Sequence, residues 1–484
     1  MKKLFILITT VGLMVTGCRK IEIDGASTTV IPPSSENTIL EGRITTNRTL
    51  KNGFTYKLRG LVYVTSGAIL TIEPGTKIVG ELNKNGALII CRGAKIIADG
   101  TATSPIIFTS EAATPQRGDW AGLVILGQAP TNNSFNGIDG IGEIEGGINN
   151  SDGLGLYGLG LSSNIADNSG ILRYVRIEYA GYAFLPDKEI NGLTLGGVGN
   201  QTIIDNVQVS FANDDSFEWF GGTVNCTHLI SYRTLDDDFD TDNGYSGKVQ
   251  FGIVLRDSSI ADISKSEAFE SDNDANGSDR KTFVTAIGTS VVPVKTNAIF
   301  SNITAVGPKA TATSIGSSLF LAGAQLRRNS EQSIVNSIFI GWNGGSVNAI
   351  LIDGSKGIPT DLNLEPNGGL TFRNNIIAGA STNAVSYAVN STAPTGATKA
   401  SITAWVNTTI YANTMLNANA GVNLIAPFNY SNPDFNPANA SSPAASGAAF
   451  AISKLSTGFT NVTYRGACNV GDIWWKGWTK FSQQ

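Results

Sequence analysis

Histidine is all but missing: there is one, His228, in 484 residues. A Ser-His-Asp or Cys-His device would have to be built on it, and no GxSxG or papain-like context accompanies any serine or cysteine. Cysteine is scarce too. Cys18, Cys91, Cys226 and Cys468 contain no CxxC pair, which excludes a disulfide scaffold and a zinc ribbon. There are three methionines, only 15% of residues are charged, and long helical patterns of Glu, Lys and Leu are absent, so a helical bundle is excluded. Beyond the N-terminus no stretch approaches the roughly 18 apolar residues of a spanning helix. The net charge is −5 and no basic run is present to track a phosphate backbone, which argues against nucleic acid as a partner.

The N-terminus supplies an address. Lys2 and Lys3 precede an apolar run from Leu4 to Val15, and the small residues Thr16 and Gly17 lead to Cys18. This is the order of a secretory signal, and the run is too short to span a bilayer. Val15-Thr16-Gly17-Cys18 resembles the lipobox of bacterial lipoproteins, which implies cleavage before Cys18 and acylation of that cysteine, with a chain such as palmitate as the membrane anchor. Residues 1–17 are expected as the signal peptide and 18–39 as a lipidated tether, in which Pro32-Pro33-Ser34-Ser35 suits an extended linker. The expected location is the outer membrane, lipid-anchored, with the cell surface ahead of the periplasmic face.

Glycine is plentiful, 55 of 484 residues, and it separates short β-branched runs. The run from Leu70 to Val79 is echoed 18 residues later by the run from Leu88 to Ile97, Gly75 falling on Gly93 and Lys77 on Lys95. Two more steps reach Ile106-Ile107-Phe108 and Val124-Ile125-Leu126. Farther on the period is 22: Asp214-Asp215-Ser216-Phe217-Glu218 is answered by Asp236-Asp237-Asp238-Phe239-Asp240, with a looser copy at Phe269-Glu270-Ser271-Asp272. Repeats of this kind predict an all-β chain, a right-handed parallel β-helix (solenoid) over residues 40–484 whose coils stack at about 4.8 Å. The glycine-rich stretch 137–160 breaks the rhythm and is expected as an inserted loop, where solenoids often carry a binding surface. Trp474, Trp475 and Trp478 are expected in a Trp-rich C-terminal cap over 464–484.

Acid is concentrated in one place. Fifteen of the 39 acidic residues fall in the 66 positions from Asp214 to Asp279, opposed there only by Arg233, Lys248, Arg256 and Lys265. If Phe217, Phe239 and Phe269 stack inward, strand alternation points Glu218, Asp240 and Glu270 outward, one above another; Asp238, Asp242, Asp272 and Asp274 are read onto the same face. Carboxylates one coil apart repel by about 1 kcal/mol per pair in water, and several times more where water is excluded. Such an all-oxygen set suits Ca²⁺, with Asn243, Asn273 or backbone carbonyls completing the shell, and these seven carboxylates are the candidate metal ligands. The alternative is a solvated acidic face bonded to turn amides.

Several segments together resemble a group of β-helix surface lipoproteins and secreted proteins of Gram-negative bacteria, mostly without assigned activity. They are Ile72-Glu73-Pro74-Gly75-Thr76, Gly100-Thr101-Ala102 with Pro105-Ile106, the stretch from Gly118 to Leu123, the stretch from Asp214 to Gly222, and Tyr464-Arg465-Gly466-Ala467. The resemblance implies the fold and assigns no nucleophile or base. The function expected from the anchor, the repeat and the missing catalytic constellation is a non-catalytic outer-membrane lipoprotein with Ca²⁺ as its candidate ion. It would serve as a binding or scaffold subunit of an envelope assembly or nutrient-uptake complex, partnered by an outer-membrane protein complex or a glycan. The alternative is an enzyme beside the acidic ladder: a calcium-dependent polysaccharide lyase with Arg233, Lys248 or Arg256 as base, or a two-carboxylate glycoside hydrolase. Arg117-Gly118-Asp119 spells an adhesion tripeptide, but its continuation into Trp120-Ala121-Gly122-Leu123 reads as a strand start.

Overall fold

The computed structural model describes residues 36–185, 188–278, 294–311, 313–342, 347–379 and 384–482. The signal, Cys18 and nearly all of the tether lie outside the described residues. The chain divides into Met1–Asn37 and Thr38–Gln484, and the second unit holds every described strand.

A short apolar strand cannot bury itself, so each coil lays its strands on those of the coil before. Among the described residues twenty-six strands form one sheet with parallel ladders, which is a parallel β-helix. In the central coils a long strand stacks on long strands: Gly170–Glu178, Ile203–Ser210, Asn225–Tyr232, Lys248–Leu255 and Ile299–Val306. Short strands stack on another face: Leu193–Gly196, Phe217–Phe220, Phe239–Asp242 and Ser266–Ser271, followed by the longer Phe320–Arg327. One aligned residue bends each long strand. Tyr174, Asn206, His228, Phe251, Asn302, Asn336 and Asn374 all have φ between 49° and 65°. Asparagine fills four of these corners because its short polar side chain tolerates the left-handed region. His228 is one of them, its Nδ1 2.8 Å from Asp205 Oδ1 and its ring stacked on Phe251.

The 22-residue period is a coil, since Phe217 pairs with Phe239 and Val207 with Leu229. The 18-residue period is not. Ile69 pairs with Lys95 and Lys77 with Ile107, so residues 18 apart lie on different faces. Similar glycine turns, with φ of 83° at Gly75 and 77° at Gly93, close successive short strands there. The shorter repeat counts turns and not coils.

Inside the solenoid Phe217, Phe239 and Phe269 are fully buried, with centroids 5.7 and 5.5 Å apart. Ring contacts at that separation add to the hydrophobic burial of each side chain. The helix Lys399–Val406, opened by a Thr398–Ser401 capping box, sets Ile402 and Val406 into the same core against the last strands. The C-terminal segment then returns along the flank of the long strands. Gln208 exchanges two hydrogen bonds with the backbone of Lys480, Gln250 exchanges two with Thr460, and Asn302 donates to Tyr464. Trp475 and Trp478 are buried in this cover.

The insertion at 137–160 contains an antiparallel hairpin of Ile141–Glu143 with Leu156–Gly158. The Arg117-Gly118-Asp119 tripeptide is internally engaged. Arg117 donates to the Ala212 carbonyl at 2.9 Å, Asp119 accepts from Ser110 Oγ at 2.6 Å, and Trp120 is fully buried.

Candidate functional site

Three coils repeat the same turn and strand, ending Ser216-Phe217-Glu218, Asp238-Phe239-Asp240 and Ala268-Phe269-Glu270. With each phenylalanine fixed inward, Glu218, Asp240 and Glu270 come into register on the outer side. The turns leading into these strands stack as well and bring Asp214, Asp215, Asp236 and Asp237 beside them. Glu145 joins from the inserted loop and Asp262 from a later turn. These nine carboxylates, with Asn191, Arg327 and Arg328, line a cavity of about 500 Å³. Three trios form, in each of which one oxygen per residue lies within 4.8 Å of the others: Asp214, Asp215 and Asp236; Asp215, Glu218 and Asp240; Asp237, Glu267 and Glu270.

Of the seven residues expected as metal ligands, Glu218, Asp240 and Glu270 line this cavity. Asp242 and Asp272 lie two residues beyond Asp240 and Glu270 in the same coils, outside it: Asp242 accepts from Asn243 N at 2.5 Å, and Asp272 accepts from Arg327 Nε at 2.8 Å. The placement of Asp238 is corrected. It precedes the strand, where alternation does not hold, and it points into the solenoid, fully buried, with Arg256 Nη1 3.3 Å away and Ser231 donating to it. Asp274 is corrected too, since it lies past the strand end and closes a turn by accepting from Asn276 N at 2.7 Å and Ser278 Oγ at 2.6 Å. Asn243 donates to Asp242, and Asn273 Oδ1 accepts from Thr296 N. The sequence reading missed the acids of the turns. Their signal was present in the doubled aspartates of the 22-residue repeat and in Glu267, which extends the third copy backward. Glu145 had no such signal, because only folding brings the loop to the ladder.

Charge is poorly dispersed in the cavity. Burial first, then Glu145 and Asp240, holds the Glu218 carboxyl well above the usual range. Burial and the neighbouring acids do the same for Asp215, Asp237 and Glu270. Asp240 is pushed up to about 7 by burial and Asp272, with Arg327 and a hydrogen bond to Glu218 acting against the rise. Burial raises Asp236 to about 6 and Glu267 to about 7. Adjacent carboxyls whose ionisations are staggered give an acid and a carboxylate side by side at neutral pH.

The cations of the cavity are tied to neighbouring acids. Arg327 donates to Glu270 at 2.6 Å as well as to Asp272, and Arg328 donates to Asp272. Burial alone would favour neutral Arg327, but Glu270 and Asp272 outweigh it and keep the guanidinium protonated. Arg233 is paired with Asp257, Lys248 donates to the Thr457 carbonyl at 2.5 Å and Arg256 is inside the solenoid, so none of the three lines the cavity. These are the three residues expected as base for removal of a uronate proton, and the two arginines that do line the cavity are paired with Glu270 and Asp272. Two-carboxylate chemistry has its groups in place. Neighbouring rungs at about 4.8 Å approach the roughly 5–5.5 Å of retaining glycosidases, and rungs two apart, at about 9.6 Å, come close to the upper end of the inverting range.

A family profile described as a pectate-lyase-like β-helix domain matches residues 42–423. No curated protein matches. Among solved structures the chain is similar to the alginate lyase from Paenibacillus sp. str. FPU-7, at 12% identity and a TM-score of 0.23, covering 72% of this chain and 92% of that one. It is similar to the Dettilon tailspike protein at 10% identity and 0.25, covering 69% and 61%. The catalytic domain of a GH87 α-1,3-glucanase in complex with tetrasaccharides matches at 11% identity and 0.22, covering 73% and 62%. The non-catalytic scaffold expected from the sequence is corrected by the profile, which stands with the carbohydrate-active alternative. As the profile accounts for most of the chain, the protein belongs to the pectate-lyase-like β-helix family.

Proposed function

We propose that the protein is a carbohydrate-active enzyme that hydrolyses glycosidic bonds in the acidic cavity. The observation that carries this reading is the registered pair Glu218 and Asp240, a buried and a half-buried neighbour lining the cavity, of which Glu218 is held well above the usual carboxylate range and Asp240 is raised to about 7. Glu218 donates its proton to the leaving oxygen. Asp240, as the carboxylate, attacks the anomeric carbon as the leaving oxygen departs, and water, deprotonated by Glu218, then releases the glycosyl group from Asp240. Release of reducing ends from a panel of neutral and acidic polysaccharides tests this, and Glu218→Gln and Asp240→Asn are each expected to lower the rate at least about a hundredfold. Unsaturated sugar products would instead identify a lyase, and release unchanged in both variants would remove the pair from the mechanism.

The all-oxygen trio of Asp214, Asp215 and Asp236 supports Ca²⁺ as a bound ion, because hard divalent cations take carboxylate oxygens. The ion would offset the repulsion among the turns. The N-terminal motif supports a lipid on Cys18 and an outer-membrane location, with the cavity presented to glycans outside the membrane.

A further inference from the structure

Arg256 follows the long strand Lys248–Leu255, and its side chain is entirely hidden inside the solenoid. A buried guanidinium demands partners, since leaving it unpaired in a low dielectric costs several kcal/mol. It finds three. Nη1 donates to the carbonyl of Asp236 and lies 3.3 Å from Asp238 Oδ2, and Nη2 donates to the carbonyl of Leu235 at 3.2 Å. Its plane lies over the Phe320 ring at 5.0 Å. All of the hydrogen-bonding partners belong to one turn, residues 235–238. On its other side this turn presents Asp236 and Asp237 to the cavity, and the Asp237 N–H donates to Asp215 Oδ1 at 2.8 Å.

We propose that Arg256 is a positioning residue, whose interior fork to the Leu235 and Asp236 carbonyls sets the turn that offers Asp236 and Asp237 to the cavity. This rests on the reading of the cavity as the active site. The ion pair with Asp238 keeps the fork in place, and Asp238 is held in turn by Ser231, whose Oγ is 2.6 Å from Ser216 Oγ. A rigid planar fork can bond two adjacent carbonyls at once, whereas an ammonium group acts as a point charge. Arg256 is thus a cation beneath a turn whose other side lines the cavity with Asp236 and Asp237.

Arg256→Lys keeps the charge against Asp238 and removes the fork. In that variant of the full chain, amide exchange at Asp237 is expected to quicken at least about tenfold while exchange at Phe269 is unchanged. The neutral pair Arg256→Met with Asp238→Asn avoids an unpaired buried charge and also removes the fork, so exchange at Asp237 is expected to quicken in it as well. Glycan release is expected to fall in both. Wild-type exchange at Asp237 in either variant would overturn the proposal. Amide exchange needs no substrate, so an absence of glycan release from the wild-type chain would remove the catalytic reading and still leave the role of Arg256 decided.

Discussion

A carboxyl group taken out of water among other carboxyls keeps its proton longer, and this chain gathers several. In the fold Asp236 and Asp238 are raised by burial to about 6, and Asp240 and Glu267 to about 7. In the unfolded chain such groups ionise near pH 4. The folded state thus holds protons that the unfolded state has released, and the stability they contribute is complete below about pH 4 and lost as the pH rises to about 7. Each extra proton held is worth about 1.4 kcal/mol per pH unit. In chelator-treated buffer the melting temperature is therefore expected to be higher near pH 5 than near pH 7.5, by calorimetry or circular dichroism, and the opposite slope would contradict the burial of these groups. Strand alternation made Phe217 and Glu218 legible as inward and outward in the sequence. It failed at Asp238 because the rule ends where the strand does, and it was silent on Arg327, Arg328 and Glu145, which reach the cavity from distant parts of the chain.

At the scale of the element, one coil is a turn, a short strand, another turn and a long bent strand, and the sheet joins it to its neighbours. Phe239 is the middle ring of its stack and touches Phe217, Phe269 and Phe300. Phe239→Ala is expected to cost about 3–5 kcal/mol, read by denaturant unfolding, because the strands on either side hold the cavity left behind. A loss below about 1 kcal/mol would mean that the stack collapses freely around the gap. The central coils were legible because Phe239 and Asp240 lie in a strand of the same length and turn chemistry as Phe217 and Glu218 one coil earlier. The N-terminal coils were misread in register because Gly75 and Gly93 mark alike turns on different faces, and a sequence repeat does not distinguish a corner from a full circuit.

For the molecule as a whole, the two envelope expectations can be separated from the chemistry. Ca²⁺ at about a hundredfold excess over its dissociation constant is expected to stabilise the fold by roughly 2.7 kcal/mol, raising the melting temperature at neutral pH, and chelator is expected to reverse it. Asp214→Asn should abolish the response, and a melt indifferent to both reagents would remove the ion. Cys18→Ala is expected to abolish incorporation of radiolabelled palmitate into the protein in its cells; labelling retained in that variant would exclude Cys18 as the lipid attachment point. The returning C-terminal segment carries a different consequence. Solenoids ordinarily grow by copying a coil, yet here Gln208 is tied to Lys480 and Gln250 to Thr460. A duplicated 22-residue coil between those glutamines would separate the two moorings by a further 4.8 Å or so while the tail kept its length. The tail is in effect a ruler laid against the coils, and in descent or in engineering the number of coils and the length of the tail have to change together.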